Sequence, residues 1–408
     1  MAHVADTEFT GTPFNPRTAP LNVLQRWTAW DRYHVVDVYS DVDAELRSIR
    51  EGVAVIDMSP LAKYDVCGPD AERYVNWVVT RDVSAMEDRQ LMYTAWCDQD
   101  GKVVSDGMVL RIAAGHFRIT GDPCSSWLAS QLDGFEVELS DVTHDRGLLS
   151  VQGPRSKGVM ANLFGPSWEG LRFSRMNAVE IGGRRVELSR QGFTGEHGYE
   201  LCVDRSDGPA VWDAVLHAAE PDGIRPAGFV AADIARIEAG LVIPGPDYTK
   251  GGLSDDERGA AVEVDRANLA SPYEIGAGRF VDLDGADFVG RDALVAERKA
   301  PPARQMVGLL LDWTAIAALF TDQGLPPVVL PTPDWYPKPV VVDGRPIGRA
   351  TSLTWSPARR SVAGFGFLEA SFCRPGTDVE VEFDVHQRTG HVAATVVELP
   401  HLPRRRAE

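Results

Sequence analysis

Apolar residues recur at helical intervals between residues 228 and 241. The positions that set the spacing of four and three are Val230, Ile234, Ile237 and Leu241. This period predicts a helix with one buried face. Asp233 and Arg236 lie three residues apart on another face, where they can form an ion pair. Gly240 stands close to the expected end of this helix.

Strand-like and helix-like patterns alternate in the first part of the chain. A polar helical pattern at residues 43–46 ends at Gly52. The segments that follow are a strand at 63–66, a helix from 69, strands at 91–97 and 108–112, and a helix at 125–132. A similar alternation recurs between residues 147 and 241. We therefore expect an α+β fold with two related subdomains packed side by side.

Loop-like and β-type patterns occupy the rest of the chain. Residues 244–258 are polar and begin with two prolines around a glycine, which predicts a surface loop or lid. Residues 300–304 have the composition of a linker. Short β-type runs at 340–342 and 379–383 predict a small β-domain after this linker.

The charge balance limits the classes of partner. The 408-residue chain has 41 basic and 59 acidic residues and a net charge of -18. Such a chain repels phosphate backbones and anionic membrane surfaces, so we expect neither nucleic acid nor membrane as a partner. The basic cluster at residues 404–406 is either a solvated tail or a source of one arginine for a carboxylate ligand.

The cysteines favour a reducing compartment. Five of them, Cys67, Cys97, Cys124, Cys202 and Cys373, are widely spaced and form no C-x-x-C pair. This pattern argues against a disulfide framework and against a zinc site.

Residues 1–6 lack the pattern of a signal peptide, and no apolar run reaches the length of a membrane span. We expect a cytoplasmic protein that holds no metal.

An acidic hairpin carries one candidate for chemistry. Residues 91–108 have the pattern of strand, turn and strand, which brings Tyr93 close to Asp106. A carboxylate at this place can stabilise a cationic amine and accept its proton. Aspartate is also common at turns and caps, so a purely structural role for Asp106 is the alternative.

A glycine-rich run carries a second candidate. Residues 192–200 contain three glycines within seven positions, together with Glu196 and Glu200. Glycine allows tight turns and a close backbone approach to a flat ligand, and a carboxylate can accept paired N–H bonds from a planar heterocycle. Phe193 and Tyr199 add flat side chains in the same run. For Glu196, a salt bridge or a turn role is an equal alternative.

These runs, with residues 232–240 about thirty positions after the glycine-rich run, resemble the aminomethyltransferase family. The family includes the glycine-cleavage T-protein, folate-dependent demethylases, and the folate domains of dimethylglycine- and sarcosine-oxidising enzymes. Further similar stretches lie at residues 271–276, 287–294 and 348–352, so the resemblance covers most of residues 50–400.

The resemblance implies a domain organisation around a central folate cleft. Residues 1–295 are expected to form the folate-binding region, as two α+β subdomains made of 1–50 plus 140–295 and of 51–139. Residues 296–408 are expected to form a C-terminal β-barrel domain.

The resemblance also implies tetrahydrofolate as cofactor and assigns roles to residues of this chain. Asp106 takes the position of the family's catalytic aspartate, and Glu200 that of the glutamate that pairs with the amino edge of the pterin. The residues expected to contact the cofactor beside Glu200 are Tyr93, Phe193, Tyr199, Leu61 and Arg279.

Four positions depart from the family pattern on the side of the one-carbon donor. Pro60 and Leu61 stand where the T-protein has histidine and methionine, Ala232 replaces an arginine, and Arg279 replaces a tryptophan. We therefore expect a demethylase or methylene transferase that moves a one-carbon unit from a small N-methyl or O-methyl donor to tetrahydrofolate.

Two alternatives remain open. One is a true aminomethyltransferase, whose donor is carried by a lipoyl protein. The other is a non-catalytic folate-binding module, which is disfavoured because residues 190–196 lack the cysteine of that branch of the family.

Overall fold

The structure is a computed structural model that describes residues 9–165, 168, 171–252, 269–300, 302–386 and 388–406. In this part of the chain the strands are β1 Thr10–Gly11, β2 Arg26–Trp30, β3 Tyr33–Val38, β4 Ala54–Asp57, β5 Ala62–Cys67, β6 Gln90–Cys97, β7 Val103–Ala113, β8 His116–Gly121, β9 Glu138–Asp141, β10 Arg146–Gln152, β11 Met176–Ile181, β12 Arg184–Ser189, β13 Gly198–Asp204, β14 Arg225–Pro226, β15 Arg304–Leu311, β16 Lys338–Val342, β17 Arg345–Ser356, β18 Ser361–Glu369, β19 Asp378–Val385 and β20 Arg388–Val397. The α-helices are α1 Asn15–Leu21, α2 Val42–Glu51, α3 Ala71–Val78, α4 Ser125–Ser130, α5 Ser156–Phe164, α6 Gly208–Ala218, α7 Phe229–Glu238, α8 Arg291–Glu297 and α9 Trp313–Thr321.

The first large sheet has the order β11-β12-β13-β10-β4-β14 and helices on both faces. On one face, Tyr199, Leu201 and Val203 of β13 pack with residues of α5 and α6. On the other face, Cys202 of β13 packs with residues of α2 and α7. Because side chains alternate along a strand, this second face also carries Glu200.

The second large sheet has the order β6-β7-β8-β5-β9, and all its pairs are antiparallel. Its core includes Tyr74 of α3 and Trp127 of α4. Arg118 on β8 joins the two sheets, because its guanidinium contacts Asp65 of β5 at 2.6 Å and Glu187 of β12 at 2.5 Å. The predicted α+β fold with two subdomains is confirmed.

The last part of the described chain forms a closed barrel with the order β15-β18-β17-β16-β19-β20. Its interior is filled by apolar side chains such as Leu309, Val362 and Val381. Helix α9 packs against this core and is capped by Asp312, whose side chain accepts a hydrogen bond from the Thr314 amide. Such a cap satisfies one of the amides that a helix leaves unpaired at its start. The predicted C-terminal β-barrel is confirmed.

The predicted helix at residues 228–241 is α7, and it lies between the first sheet and the barrel. All its residues from Val230 to Glu238 are buried. The predicted ion pair is present, with Arg236 Nε 2.7 Å from Asp233 Oδ1. Gly240 follows the helix with a φ of 63°, a conformation that favours glycine.

The segment predicted as a surface loop or lid is half-buried or exposed at residues 244–246 and buried at the next two residues. Asp247 and Tyr248 are 0% and 1% exposed, so the prediction of an exposed loop is wrong for them. Asp247 is buried because it pairs with Arg236 of α7 and accepts a hydrogen bond from Ser352 of β17 at 2.6 Å. Residues 253–258 of the predicted loop lie outside the described residues.

The sequence-based domain limits remain a proposal. Strand β4 pairs with β10 of the first sheet, so the chain enters the second sheet at Ala62. The barrel begins at Arg304, the last residue of the predicted linker. We keep the proposed division near residue 295.

Within the described ranges, no helix is long and apolar enough to cross a membrane. The described residues also contain no cluster of three or more histidine, cysteine or acidic side chains that could hold a metal ion. The five cysteines are free thiols.

Candidate active site

A cavity of about 370 Å³ lies between the two large sheets, the turn after β2, helix α7 and a loop of the barrel domain. This volume is in the range of small-molecule sites. Its wall includes five of the candidate catalytic and cofactor-binding residues, namely Leu61, Tyr93, Asp106, Phe193 and Glu200. Asp106 and Glu200 come from different sheets and face the same space.

Two tyrosines hold the Asp106 carboxylate. The Tyr93 hydroxyl donates to Asp106 Oδ2 at 2.6 Å, as the hairpin pattern predicted. The Tyr248 hydroxyl donates to Oδ1 at 2.5 Å from the segment after α7. With one hydroxyl on each oxygen, the carboxylate is fixed in one orientation toward the cavity.

The surroundings of Asp106 tune its protonation. Burial raises the pKa of Asp106 to about 6, and the two tyrosine hydrogen bonds oppose this rise in part. Burial and the adjacent carboxylate raise the pKa of Tyr93 and of Tyr248 well above the usual value, so both remain donors. At neutral pH, Asp106 is therefore mostly ionised, with a pKa close enough to neutrality to accept and return a proton.

Glu200 is a second buried acid in the same cavity. It is 6% exposed, and its side chain accepts a hydrogen bond from the Gln191 amide. Burial raises the pKa of Glu200 to about 7, while Gln191 and the Lys63 ammonium favour the charged form. Lys63 is itself buried, which lowers its pKa to about 8, and its Nζ donates to the carbonyls of Ser59 and Leu61 at 2.9 and 2.7 Å.

Arg50 fixes the glycine-rich run against α7. From helix α2, its guanidinium donates to Glu196 Oε1 at 2.9 Å, to Glu238 Oε2 at 2.8 Å and to the Thr194 carbonyl at 2.8 Å. Glu196 is 2% exposed and is absent from the described cavity wall. Of the two roles proposed for it from sequence, the salt bridge is the one present.

The glycines of this run make room mainly for protein groups. A Cβ at Gly192 would lie 2.0 Å from the Gln152 side-chain oxygen, and a Cβ at Gly198 would lie 2.2 Å from its nitrogen. Gln152 accepts a hydrogen bond from Thr194 Oγ1 at 2.9 Å and so holds the run from beneath. Gly192 also lines the cavity, whereas Gly195 and Gly198 are not part of its described wall.

Tyr199 does not face the cavity, and the prediction that it stacks on a ligand is wrong. Its ring is fully buried in the core between the first sheet and helices α5 and α6. Successive residues of a strand point to opposite faces, so Glu200 and Tyr199 cannot both reach the same side of β13.

Arg279 lies in a smaller cavity of about 80 Å³ that adjoins the main one. Tyr93, Leu241, Val242 and Arg406 line both cavities. Arg404 also lines the smaller one, and burial together with Arg406 and Arg279 lowers its pKa to about 10. Three guanidinium groups that repel one another make this end of the space attractive to an anion.

Another part of the cavity wall is aromatic and acidic. The ring of Phe229 meets that of Trp30 at 5.4 Å and 70°, and that of Trp335 at 5.7 Å and 72°. Trp335 Nε1 donates to Asp233 Oδ2 at 2.8 Å. Asp31 also lines this cavity, next to Trp30 in the chain.

Several residues of the cavity and its surroundings were not predicted from the sequence. Tyr248 lies 142 positions from Asp106, and Trp335 lies 102 positions from Asp233, so no local pattern connects them. Gln191 directly precedes the glycine-rich run. Its role as a donor to Glu200 could have been predicted from the sequence, because a buried acid needs a hydrogen-bond donor beside it.

Two family descriptions match this chain. The GCVT N-terminal domain matches residues 19–255, more than half of the chain, and the glycine cleavage T-protein C-terminal barrel domain matches residues 328–402. The chain belongs to the glycine cleavage T-protein family.

Curated relatives in this family span nearly the same length as the chain. An aminomethyltransferase of Clostridium botulinum (strain 657 / Type Ba4) is 27% identical over 361 residues, which are 87% of either chain. An aminomethyltransferase of Lysinibacillus sphaericus (strain C3-41) is 28% identical over 372 residues, covering 90% of this chain and 91% of the relative.

One solved structure has the same fold as this chain. The glycine cleavage system aminomethyltransferase T from Bartonella henselae aligns with a TM-score of 0.79 and 21% identity. The alignment covers 97% of this chain and 99% of the other.

Proposed function

We propose that this protein transfers a one-carbon unit to tetrahydrofolate in the cavity that Asp106 and Glu200 share. The observation that carries the proposal is that these two acids, from separate sheets, line one cavity. Curated relatives that carry the name aminomethyltransferase support the reaction class.

Glu200 is proposed to anchor the pterin. Its buried carboxylate can accept two N–H bonds from the amino edge of the ring, and each charge-assisted bond contributes on the order of 1.5–3 kcal/mol. Phe193 and Leu61 line the same wall and provide apolar contact for a flat ring. Gln191 keeps the carboxylate in place from the side.

Asp106 is proposed to be the catalytic residue. The nitrogen of tetrahydrofolate that accepts the one-carbon unit gains positive charge and must lose a proton, and a carboxylate with a pKa of about 6 can stabilise that charge and accept the proton. Tyr93 and Tyr248 position the carboxylate.

The arginines of the smaller cavity are proposed to bind the carboxylates of the folate tail. The smaller cavity is lined by Arg279, Arg404 and Arg406, and it shares Tyr93 with the wall of the main cavity. Arg279, which stands where the family has a tryptophan, would then contact the cofactor through its guanidinium, since a guanidinium binds carboxylates.

Two donors are candidates. The relatives' names favour an aminomethyl group, which a lipoyl carrier protein would present. Ala232 favours a free small N-methyl or O-methyl compound, because it lines the cavity and leaves open the volume of the arginine usual in the family. The first donor would give methylene-tetrahydrofolate and the second methyl-tetrahydrofolate.

The test is incubation with tetrahydrofolate and either an aminomethylated lipoyl carrier or a panel of methylated amines and methoxyarenes. Mass spectrometry distinguishes the two folate products. Asp106→Asn should abolish turnover and retain tetrahydrofolate binding. Folate binding without one-carbon exchange from any donor would instead favour the non-catalytic module.

A further inference from the structure

The aromatic part of the cavity has the form of a corner. Trp30, Phe229 and Trp335 come from β2, α7 and the barrel domain, and each neighbouring pair of rings is within about 20° of perpendicular. Rings set at these angles form no slot between parallel faces, whereas a compact cation can contact the face of a single ring. All three rings line the cavity.

The charge around this corner is negative. Asp233 and Asp247 share one guanidinium, that of Arg236, so carboxyl groups outnumber cationic groups in this buried trio. Asp31 adds a second carboxylate to the cavity wall. Among the described wall residues, Arg406 is the one with a cationic side chain, and it lies at the opening shared with the smaller, basic cavity.

The hydrogen bond between Trp335 and Asp233 holds one of the three rings next to a carboxyl group. Trp335 Nε1 donates to Asp233 Oδ2, which fixes the indole beside the carboxylate. Aromatic faces attract cations through the ring quadrupole, and the attraction grows when the cation is shielded from water. A primary ammonium needs several hydrogen-bond acceptors, which ring faces lack, whereas a methylated ammonium needs few.

We propose that the corner formed by Trp30, Phe229 and Trp335 binds the methylated ammonium group of a small cation. That this cation is the one-carbon donor rests on the proposed function; its binding does not. In the transfer, the donor carbon–nitrogen bond breaks and its electron pair stays on the donor amine. The methyl group bonds to the folate nitrogen, and the proton of that nitrogen goes to Asp106.

The experiment is calorimetric titration of the whole protein, without folate, with choline and with its neutral isostere 3,3-dimethylbutan-1-ol. Choline should bind at least about tenfold more tightly than the isostere, because the two differ in charge and hardly in shape. Equal affinity for both, no binding of choline, or tighter binding of methylammonium than of choline would overturn the proposal.

Three variants locate the site. Trp335→Leu and Phe229→Leu should each weaken choline binding about tenfold, and Trp335→Phe should keep most of the affinity because a ring face remains. Trp27→Leu is the matched control, since Trp27 is a half-buried tryptophan of the same strand as Trp30 and lies outside the described cavity wall. Equal loss in the control would refute the assignment.

Asp31→Asn tests the charge without disturbing the buried Arg236. Asp31 is exposed, so the variant is expected to fold, and choline binding should weaken a few-fold while binding of the neutral isostere stays the same. An equal change for both ligands would contradict a charge-based site.

A separate tetrahydrofolate titration distinguishes the choline site from the proposed function, because choline binding without folate binding would refute the proposed function alone.

Discussion

Tyr248 donates a 2.5 Å hydrogen bond to Asp106, although 142 residues separate them in the chain. The bond joins the segment after α7 to the hairpin of the second sheet. Because it stabilises the ionised carboxylate, it holds the pKa of Asp106 below the value that burial alone would produce.

Removing this hydroxyl should shift the pH dependence of turnover. In Tyr248→Phe, the pKa of Asp106 should rise above about 6, so the acidic limb of the rate profile should move to higher pH. The measurement is the single-turnover rate between pH 5 and 9 in saturating tetrahydrofolate. Tyr273→Phe, outside the described cavity wall, is the control, and an unshifted profile for Tyr248→Phe would count against the coupling.

Tetrahydrofolate affinity should depend on the charge of Glu200. Burial raises the pKa of Glu200 to about 7, and N–H donors bind the ionised form. Affinity should therefore fall by about tenfold for each pH unit below 7. Calorimetry across pH 5–8 measures this slope, and Glu200→Gln should bind weakly with a flat profile. An identical slope in the variant would exclude Glu200 as its source.

Glu200 should destabilise the unliganded protein at high pH. The pKa of Glu200 is higher in the folded than in the unfolded chain, so the folded state binds more protons between about pH 4.5 and 7, and the free energy of unfolding falls as pH rises through this window. Glu200→Gln should then be more stable than the parent at pH 8, by up to about 3 kcal/mol. Urea denaturation at pH 5 and pH 8 checks the sign, since the gain should shrink at pH 5.

The arginines at the smaller cavity should recognise the length of the folate tail. Arg406→Gln and Arg279→Gln should each weaken binding of a pentaglutamate folate more than of the monoglutamate, and the difference should decrease at high salt. Arg405→Gln is the matched control, because Arg405 lies near Glu196 at 3.7 Å and lines neither cavity. Equal losses for both tail lengths would show that no arginine reads the tail.

Arg50 should be a main support of the glycine-rich run. Arg50→Leu leaves Glu196 and Glu238 buried without their shared cation, and breaking such a pair typically costs about 3–5 kcal/mol. Denaturant unfolding measures the loss. Arg17→Leu is the control, because its ion pair with Asp213 is exposed to water and its removal should leave stability unchanged. Equal effects would indicate that burial does not decide the cost.

Local patterns predicted those parts of the site that lie within one helix or one hairpin. The hairpin brought Tyr93 of β6 to Asp106 of β7, and the three-residue spacing paired Asp233 with Arg236 on α7, because a short turn or a helical period fixes which residues meet. The same geometry contained the correction for Tyr199, since adjacent residues of a strand face opposite sides.

What the sequence by itself determined is the fold class, the type of several elements, the family resemblance and the pairing of residues close along the chain. Only the tertiary structure decided that Tyr248 contacts Asp106, that Trp335 completes an aromatic corner with Trp30 and Phe229, and that Asp247 is buried. The physical reason is that these contacts join separate sheets, helices and the barrel. They form when whole apolar faces pack, and no short period in the sequence records which faces meet.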